Sequence, residues 1–139
     1  MPFDFTQLIQ LWTAPLPAGD AAVAAFARHY AEPVKINGAE MSLPALVERA
    51  RATQSAFADL AATLLTQVDT PTHTSIVFRM RGRHVGPMAT PLGEVAATGQ
   101  VVERQIIDVL AIRDGLIHEV WMVADDLGAL TRLGVLKLV

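Results

Sequence analysis

The sequence predicts an α+β domain in which N-terminal helices pack inside a strongly curved antiparallel sheet. Three observations carry that expectation. Hydrophobic spacing is helical over residues 3–61 and strand-like over 62–125. The strand-like runs are long, and Asp114-Gly115 between the last two is the strongest turn signal in the chain. No repeat, low-complexity tract or linker divides the 139 residues, so they read as one domain, 1–139. A curved sheet with helices at one end leaves a cone with an open mouth, which is a natural pocket.

The elements follow in order. Leu8, Ile9, Leu11 and Trp12 mark a short apolar helix. It ends at Ala14-Pro15-Leu16-Pro17, because proline cannot continue a helix and restricts the residue before it. Asp20 is placed to cap a second helix whose face is Val23, Phe26, Ala27 and Tyr30, with Pro33 as its stop. Val34-Lys35-Ile36 alternates as a short strand before the Asn37-Gly38 turn. Ser42 caps a longer third helix with Pro44 in its first turn, and Leu43, Leu46, Val47, Ala50 and Phe57 form its buried stripe. Residues 62–69 and 72–85 then read as strands. A loop over 86–99 follows, punctuated by Gly86, Pro87, Pro91, Gly93 and Gly99. Strands over 100–113 and 116–125 come next. Leu127, Leu130 and Leu133 close the chain as a short helix ended by Gly134.

Composition excludes several function classes. The chain is 52% hydrophobic and 18% charged, with 6% aromatics, so its core is built mainly from Ala, Val, Leu and Ile. Its mean hydropathy of +0.36 is high for a small domain. An apolar ligand cavity or a buried oligomer interface would each hide that surface. The net charge is −3 and no basic run exists, so nucleic acid is not an expected partner. No apolar run is long enough to span a bilayer. Cysteine is absent, which removes disulfides and thiolate chemistry, and no signal peptide is apparent. A cytoplasmic location is the matching expectation. The histidines have no ligand-like spacing, so no metal site is expected.

Strand alternation sorts the polar residues into faces. Thr74, Ile76, Phe78, Met80 and His84 share one face of their strand, opposite Arg79, Arg81 and Arg83. His84 ends an apolar row, either as a pocket residue or as a satisfied strand-end histidine. In the last strand, Ile117, Glu119, Trp121, Val123 and Asp125 share a face by strict alternation. A carboxylate on such a row must be paired, hydrogen-bonded or open to a cavity. Glu119 can pair with Arg104, and either Asp125 or Asp126 can cap the last helix. Asp108 is the only charge within Ile106–Ile112, so it is buried or lines a cavity, its facing set by register.

A set of segments then resembles one family. These are Gly82-Arg83-His84-Val85-Gly86, Ala97-Thr98-Gly99-Gln100, Asp108, Arg113-Asp114-Gly115-Leu116-Ile117-His118-Glu119-Val120-Trp121, and Asp125-Asp126-Leu127-Gly128-Ala129-Leu130 with Leu133-Gly134. In this order and spacing they resemble the SnoaL-like polyketide cyclases, of the nuclear-transport-factor-like cone fold. Ala56-Phe57-Ala58-Asp59-Leu60 is similar to the family's element after its long helix. Arg83 replaces the usual threonine, Ala58 and Ala97 replace prolines, and Leu116 replaces a lysine.

The resemblance implies ring closure by intramolecular aldol condensation, without metal or cofactor, with an aspartate as acid/base. By position in the motif that role falls on Asp125, with His84 and Asp108 as pocket neighbours. Trp121, Glu119, Phe78, Met80, Phe57 and Trp12 are the candidate substrate-binding residues. The expected ligand is a hydrophobic small molecule, and a homodimer is the expected assembly. A non-catalytic binding domain and a structural dimerisation domain are the alternatives, because one fold hosts many functions.

Overall fold

A computed structural model describes residues 3–139. Helix α1 (Phe5–Thr13) starts at Asp4, whose carboxylate accepts from the Gln7 amide at 3.1 Å. Gly19, rather than Asp20, takes the cap position of α2 (Asp20–Ala27). Strands β1 (Tyr30–Ile36) and β2 (Ala39–Met41) form a hairpin across Asn37-Gly38. Helix α3 (Leu43–Ala56) starts at Ser42, whose hydroxyl accepts from the Ala45 amide at 3.3 Å. Then come β3 (Phe57–Asp69), β4 (His73–His84), a small hairpin of β5 (Met88–Thr90) and β6 (Gly93–Val95), β7 (Val101–Arg113), β8 (Leu116–Ala124) and α4 (Asp126–Arg132). The main sheet runs in the order β2-β1-β8-β7-β4-β3, antiparallel except where β1 lies parallel to β8.

Three boundaries differ from the sequence expectation, each through long-range pairing. Helix α2 ends at Ala27, and Tyr30 belongs to β1. Pro33 lies inside β1, where the β1–β8 register shifts between Tyr30 and Lys35, so no ladder hydrogen bond is asked of its missing N–H. Strand β3 begins at Phe57, because Phe57 pairs with His84 and holds an alanine-rich stretch extended against β4. Asp59, at φ +57, lies in the bulge where the β3–β4 register shifts between Ala58 and Ala61. The 86–99 loop contains the β5–β6 hairpin. The Asp114-Gly115 turn forms as predicted, both residues at positive φ.

The register fixes which residues share the inner, helix-covered face. Thr74, Ile76, Phe78, Met80, Gly82 and His84 of β4 lie on it. So do Ile106, Asp108 and Leu110 of β7, and Val120, Met122 and Ala124 of β8. The main core joins these strands to Phe5, Leu8, Phe26, Tyr30, Leu43, Leu46, Val47 and Ala50 from the other side. A second cluster, of Ala56, Phe57, Met88, Val102, Ala129, Leu130 and Leu133, closes the other end under α4.

One facing is reversed from expectation. The β7–β8 register shifts between Ala111 and Ile112, so Ile117 and Val120 both point inward. Glu119 and Trp121 therefore stand on the outer face, opposite Ala111 and Val109. Trp121 is 51% exposed and its indole N–H donates to Glu119 Oε1 at 3.0 Å. A single bulge undoes the alternation that put both in the pocket. Arg104, the sequence-level partner for Glu119, instead donates to Asp126 at 2.9 Å.

Candidate active site

Asp108 sits in the middle of β7, opposite Ile76 on one side and Met122 on the other. Its inner-face neighbours along the strand are Ile106 and Leu110, both buried. The residue is 8% exposed, and Oδ1 is fully buried with no hydrogen-bond partner. Burial pushes the carboxyl up from 3.8 to about 7, because a charge is poorly solvated among hydrocarbon. Such a group can both accept and return a proton near neutrality, as an acid/base catalyst must.

Tyr30, the only tyrosine of the chain, belongs to the same core cluster. Its ring stacks on Phe26 at 5.8 Å, and the Trp12 ring meets Phe26 edge-on at 5.7 Å. The Trp12 indole N–H donates to the Tyr30 hydroxyl at 3.1 Å. Burial, opposed by that hydrogen bond and reinforced by the Asp108 charge, holds the phenol well above its ordinary value, so it stays protonated. Sequence reasoning placed Tyr30 on a helix face and gave it no role. Its being the one tyrosine, in a chain poor in aromatics, was the only signal.

His84 is completely buried. Its Nδ1 accepts from the Thr98 amide at 3.2 Å and lies 3.0 Å from the Thr98 hydroxyl. Accepting from an amide puts the ring proton on Nε2, which is buried without a partner. The Phe57 ring lies 5.7 Å away. His84 is eight residues along β4 from Ile76, the partner of Asp108. His84 Nε2 and Asp108 Oδ1 are each buried without a hydrogen-bond partner, so the two side chains are not joined directly. The expected His84–Asp108 pairing is therefore not made.

Asp125 is not in the pocket. It caps α4, accepting from the Gly128 amide at 2.9 Å, and it is exposed. Arg132 approaches it at 4.0 Å. A side chain at position 128 would run into this carboxylate, so the Asp125–Gly128 spacing has a capping explanation. Gly82 and Gly86, which bracket His84, likewise give room. A Cβ on Gly82 would press on Phe57, and one on Gly86 on the Ser55 carbonyl.

Of the remaining candidates, Phe78 is core, tilted against Phe5 at 5.3 Å. Phe57 belongs to the second cluster, and Trp12 half-covers the first. Met80 stays on the inner face, half-buried. Beside it the inner face carries Arg104, Ala124 and Met122, none fully buried, and Met122 is 39% exposed. Met122 is the cross-strand partner of Asp108. A groove of about 840 Å³ lies elsewhere, between Phe3–Gln7 and the β3 residues Ala62, Thr63, Leu64 and Gln67, and no candidate site residue lines it. Among the described residues no group of three His, Cys, Asp or Glu side chains is assembled for a metal. No helix among them is long and apolar enough to cross a membrane.

The comparisons agree with this architecture. The family model of the SnoaL-like polyketide cyclases matches residues 7–133. The chain belongs to that family. Among solved structures, TsrD of Streptomyces laurentii is 26% identical with a TM-score of 0.73, covering 97% of this chain and 100% of that one. A SnoaL-like polyketide cyclase of Agrobacterium tumefaciens is 16% identical with a TM-score of 0.71, covering 91% of each chain. IdmH of Streptomyces antibioticus is 24% identical with a TM-score of 0.66, covering 81% of this chain and 87% of that one. No curated protein matches the sequence. The likeness to these structures places the chain in the cone-shaped α+β fold.

Proposed function

We propose that this family member catalyses cyclase-type proton transfer on a hydrophobic carbonyl compound, with Asp108 as the acid/base. Aldol ring closure is the leading reaction, and isomerisation through the same enolate is its close relative. The observation that carries this reading is the buried, unpartnered Asp108 carboxyl, which titrates near neutrality on the apolar inner face. Abstraction of a proton beside a carbonyl needs a positioned base in dry surroundings, where electrostatic help to the enolate is strong. Asp125, solvated and committed to a helix end, offers neither.

The test is deuterium exchange at the carbon beside the carbonyl of 2-tetralone, an apolar bicyclic ketone, followed by NMR. The enzyme should accelerate exchange and Asp108→Asn should abolish the acceleration. Exchange undiminished in Asp108→Asn would remove Asp108 from the chemistry. The packed interior, with Phe26, Leu46, Ile76 and Leu110 all but inaccessible, favours a non-catalytic dimerisation domain as the second reading. That reading predicts no exchange at all.

The outer sheet face bears on assembly. Val68, Ile107, Trp121 and Val123 lie on it, all exposed. We propose that a second copy covers this apolar stripe, giving a homodimer whose two cones open away from the interface.

A further inference from the structure

His84 is a fully buried imidazole that the proposed chemistry leaves unused. It stands where the β5–β6 hairpin departs from the main sheet, and it holds the arm by which the chain returns. Its backbone N–H donates to the Gln100 carbonyl at 2.8 Å, and its carbonyl accepts from the Gly99 amide at 2.8 Å. Its Nδ1 accepts from the Thr98 amide at 3.2 Å. The departing arm is held separately, with the Val85 and Gly86 amides both donating to the Ala56 carbonyl at 2.9 and 3.1 Å. Between the arms the hairpin is lightly held. It forms its own two-stranded sheet, apart from the main one. Of residues 87–97 only Met88 is buried, and Leu92 at the tip is 73% exposed. So few buried side chains mark a segment that opens locally before the rest unfolds. Gly99, at φ +71, is a natural joint in the returning arm.

We infer that the β5–β6 hairpin is an acid-opened flap, clamped shut by neutral His84 and released when that imidazole takes up a proton. The inference stands apart from the role of Asp108. A protonated Nδ1 cannot accept from the Thr98 amide. The Thr98 hydroxyl, 3.0 Å from Nδ1, can accept from the charged ring, but the amide is then left facing an N–H. Nε2 still has no partner. A cation shut in on those terms is costly, and turning the flap out gives it water. The ring meets Phe57 of β3 and Thr98 of the returning arm, neither of which is charged. The charged groups of the surrounding elements are engaged elsewhere. Asp59 pairs with Arg83, Glu103 with Arg79 and Asp126 with Arg104. Glu48 and Arg51 of α3 face each other, Asp125 holds the Gly128 amide and Arg132, and Glu94 of the hairpin is exposed. Opening withdraws Met88 from the cluster it shares with Phe57, Val102 and Leu133.

The experiment is amide hydrogen exchange of the whole chain by mass spectrometry at pH 7.5 and pH 5.5, each segment referred to its own unfolded rate at that pH. An exposed histidine takes up its proton near pH 6.5, and an opening that binds one proton grows about ten-fold per pH unit below that. Protection of residues 85–98 should therefore fall about ten-fold at pH 5.5 while α3 and β7 keep theirs. In His84→Asn, the side-chain oxygen can still accept from Thr98 and cannot be charged, so the fall should vanish. A fall that persists in that variant, or an equal loss across α3 and β7, would overturn the inference. The other titrating groups do not imitate it. Asp108 keeps its proton in the folded chain, so acid steadies rather than loosens it. His29, held below its ordinary value by burial and Arg28, lies between α2 and β1 and would loosen that corner instead.

A second measurement needs no variant. Ring ¹⁵N spectra resolve the four histidines, and His84 is the one whose ring lies beside Phe57. At pH 7.5 it should be the Nε2–H tautomer, the form that can accept from Thr98. The Nδ1–H tautomer would mean that the ring does not hold the arm, and the flap would lose its clamp.

Discussion

Asp108 is a residue whose cost and use are the same property. Its carboxyl ordinarily titrates at 3.8 and in the folded chain at about 7. Between those values the native state holds a proton that the unfolded chain has released, so its contribution to stability is full below about pH 4. It is lost as pH rises through about 7, by up to roughly 4 kcal/mol. Asp108→Asn should flatten this fall, and the variant should melt higher than wild type at pH 8. Denaturant titrations at pH 5 and pH 8 check it, and a wild type whose Asp108-dependent stability rises with pH would contradict it. Exchange of 2-tetralone should run the other way, growing with pH to a plateau above about 7 as the base ionises. Asp125 behaves differently. Asp125→Ala should lower stability by about 0.5–2 kcal/mol, the usual worth of a helix cap, and leave exchange unchanged. A large loss of exchange in that variant would restore the pocket role that the motif suggests.

At the scale of elements, what the sequence could reveal depended on how local each determinant is. Ser42 as a cap and Asp114-Gly115 as a turn are set by a few neighbouring residues, and both form as read. Asp108 as a buried charge was also legible, because a lone carboxylate among Ile106, Ile107, Val109 and Leu110 has few other places to go. The facing of Glu119 and Trp121 was not, since it depends on one register shift that leaves no mark in composition. Tyr30 and Phe57 were assigned to helices because their strand pairing partners, Ile117 and His84, lie far along the chain. His84 belongs to this scale too. It ties the end of β4 to Thr98 and packs beside Phe57, joining β4, the loop before β7 and the start of β3. His84→Ala should cost about 2–4 kcal/mol through lost packing and hydrogen bonds, with kcat and KM for exchange unchanged. A selective fall in kcat without destabilisation would place it in the chemistry instead.

The whole molecule divides its inner face into two ends. Under α1 and α2 lies the apolar cluster that holds Tyr30, with Asp108 on β7 between its members Ile106 and Leu110. Under α4 lies the cluster built on Phe57, Val102 and Leu130. Between them Met80, Arg104 and Ala124 are half-buried. Outside, Ile107, Trp121 and Val123 form an exposed apolar stripe. Light scattering at micromolar concentration should give twice the chain mass of 15.0 kDa. Val123→Glu should halve the measured value, because a charge cannot be buried unpaired at an apolar interface. A wild type that runs as a monomer would refute the pairing.

The most direct test of the central claim is the 2-tetralone exchange rate of wild type beside Asp108→Asn, measured from pH 5 to pH 9. Enzyme-dependent exchange that rises through about pH 7 and vanishes in the variant is the predicted result. An equal rate in both proteins, at every pH, would contradict it and leave the chain a SnoaL-like fold whose buried aspartate does no chemistry.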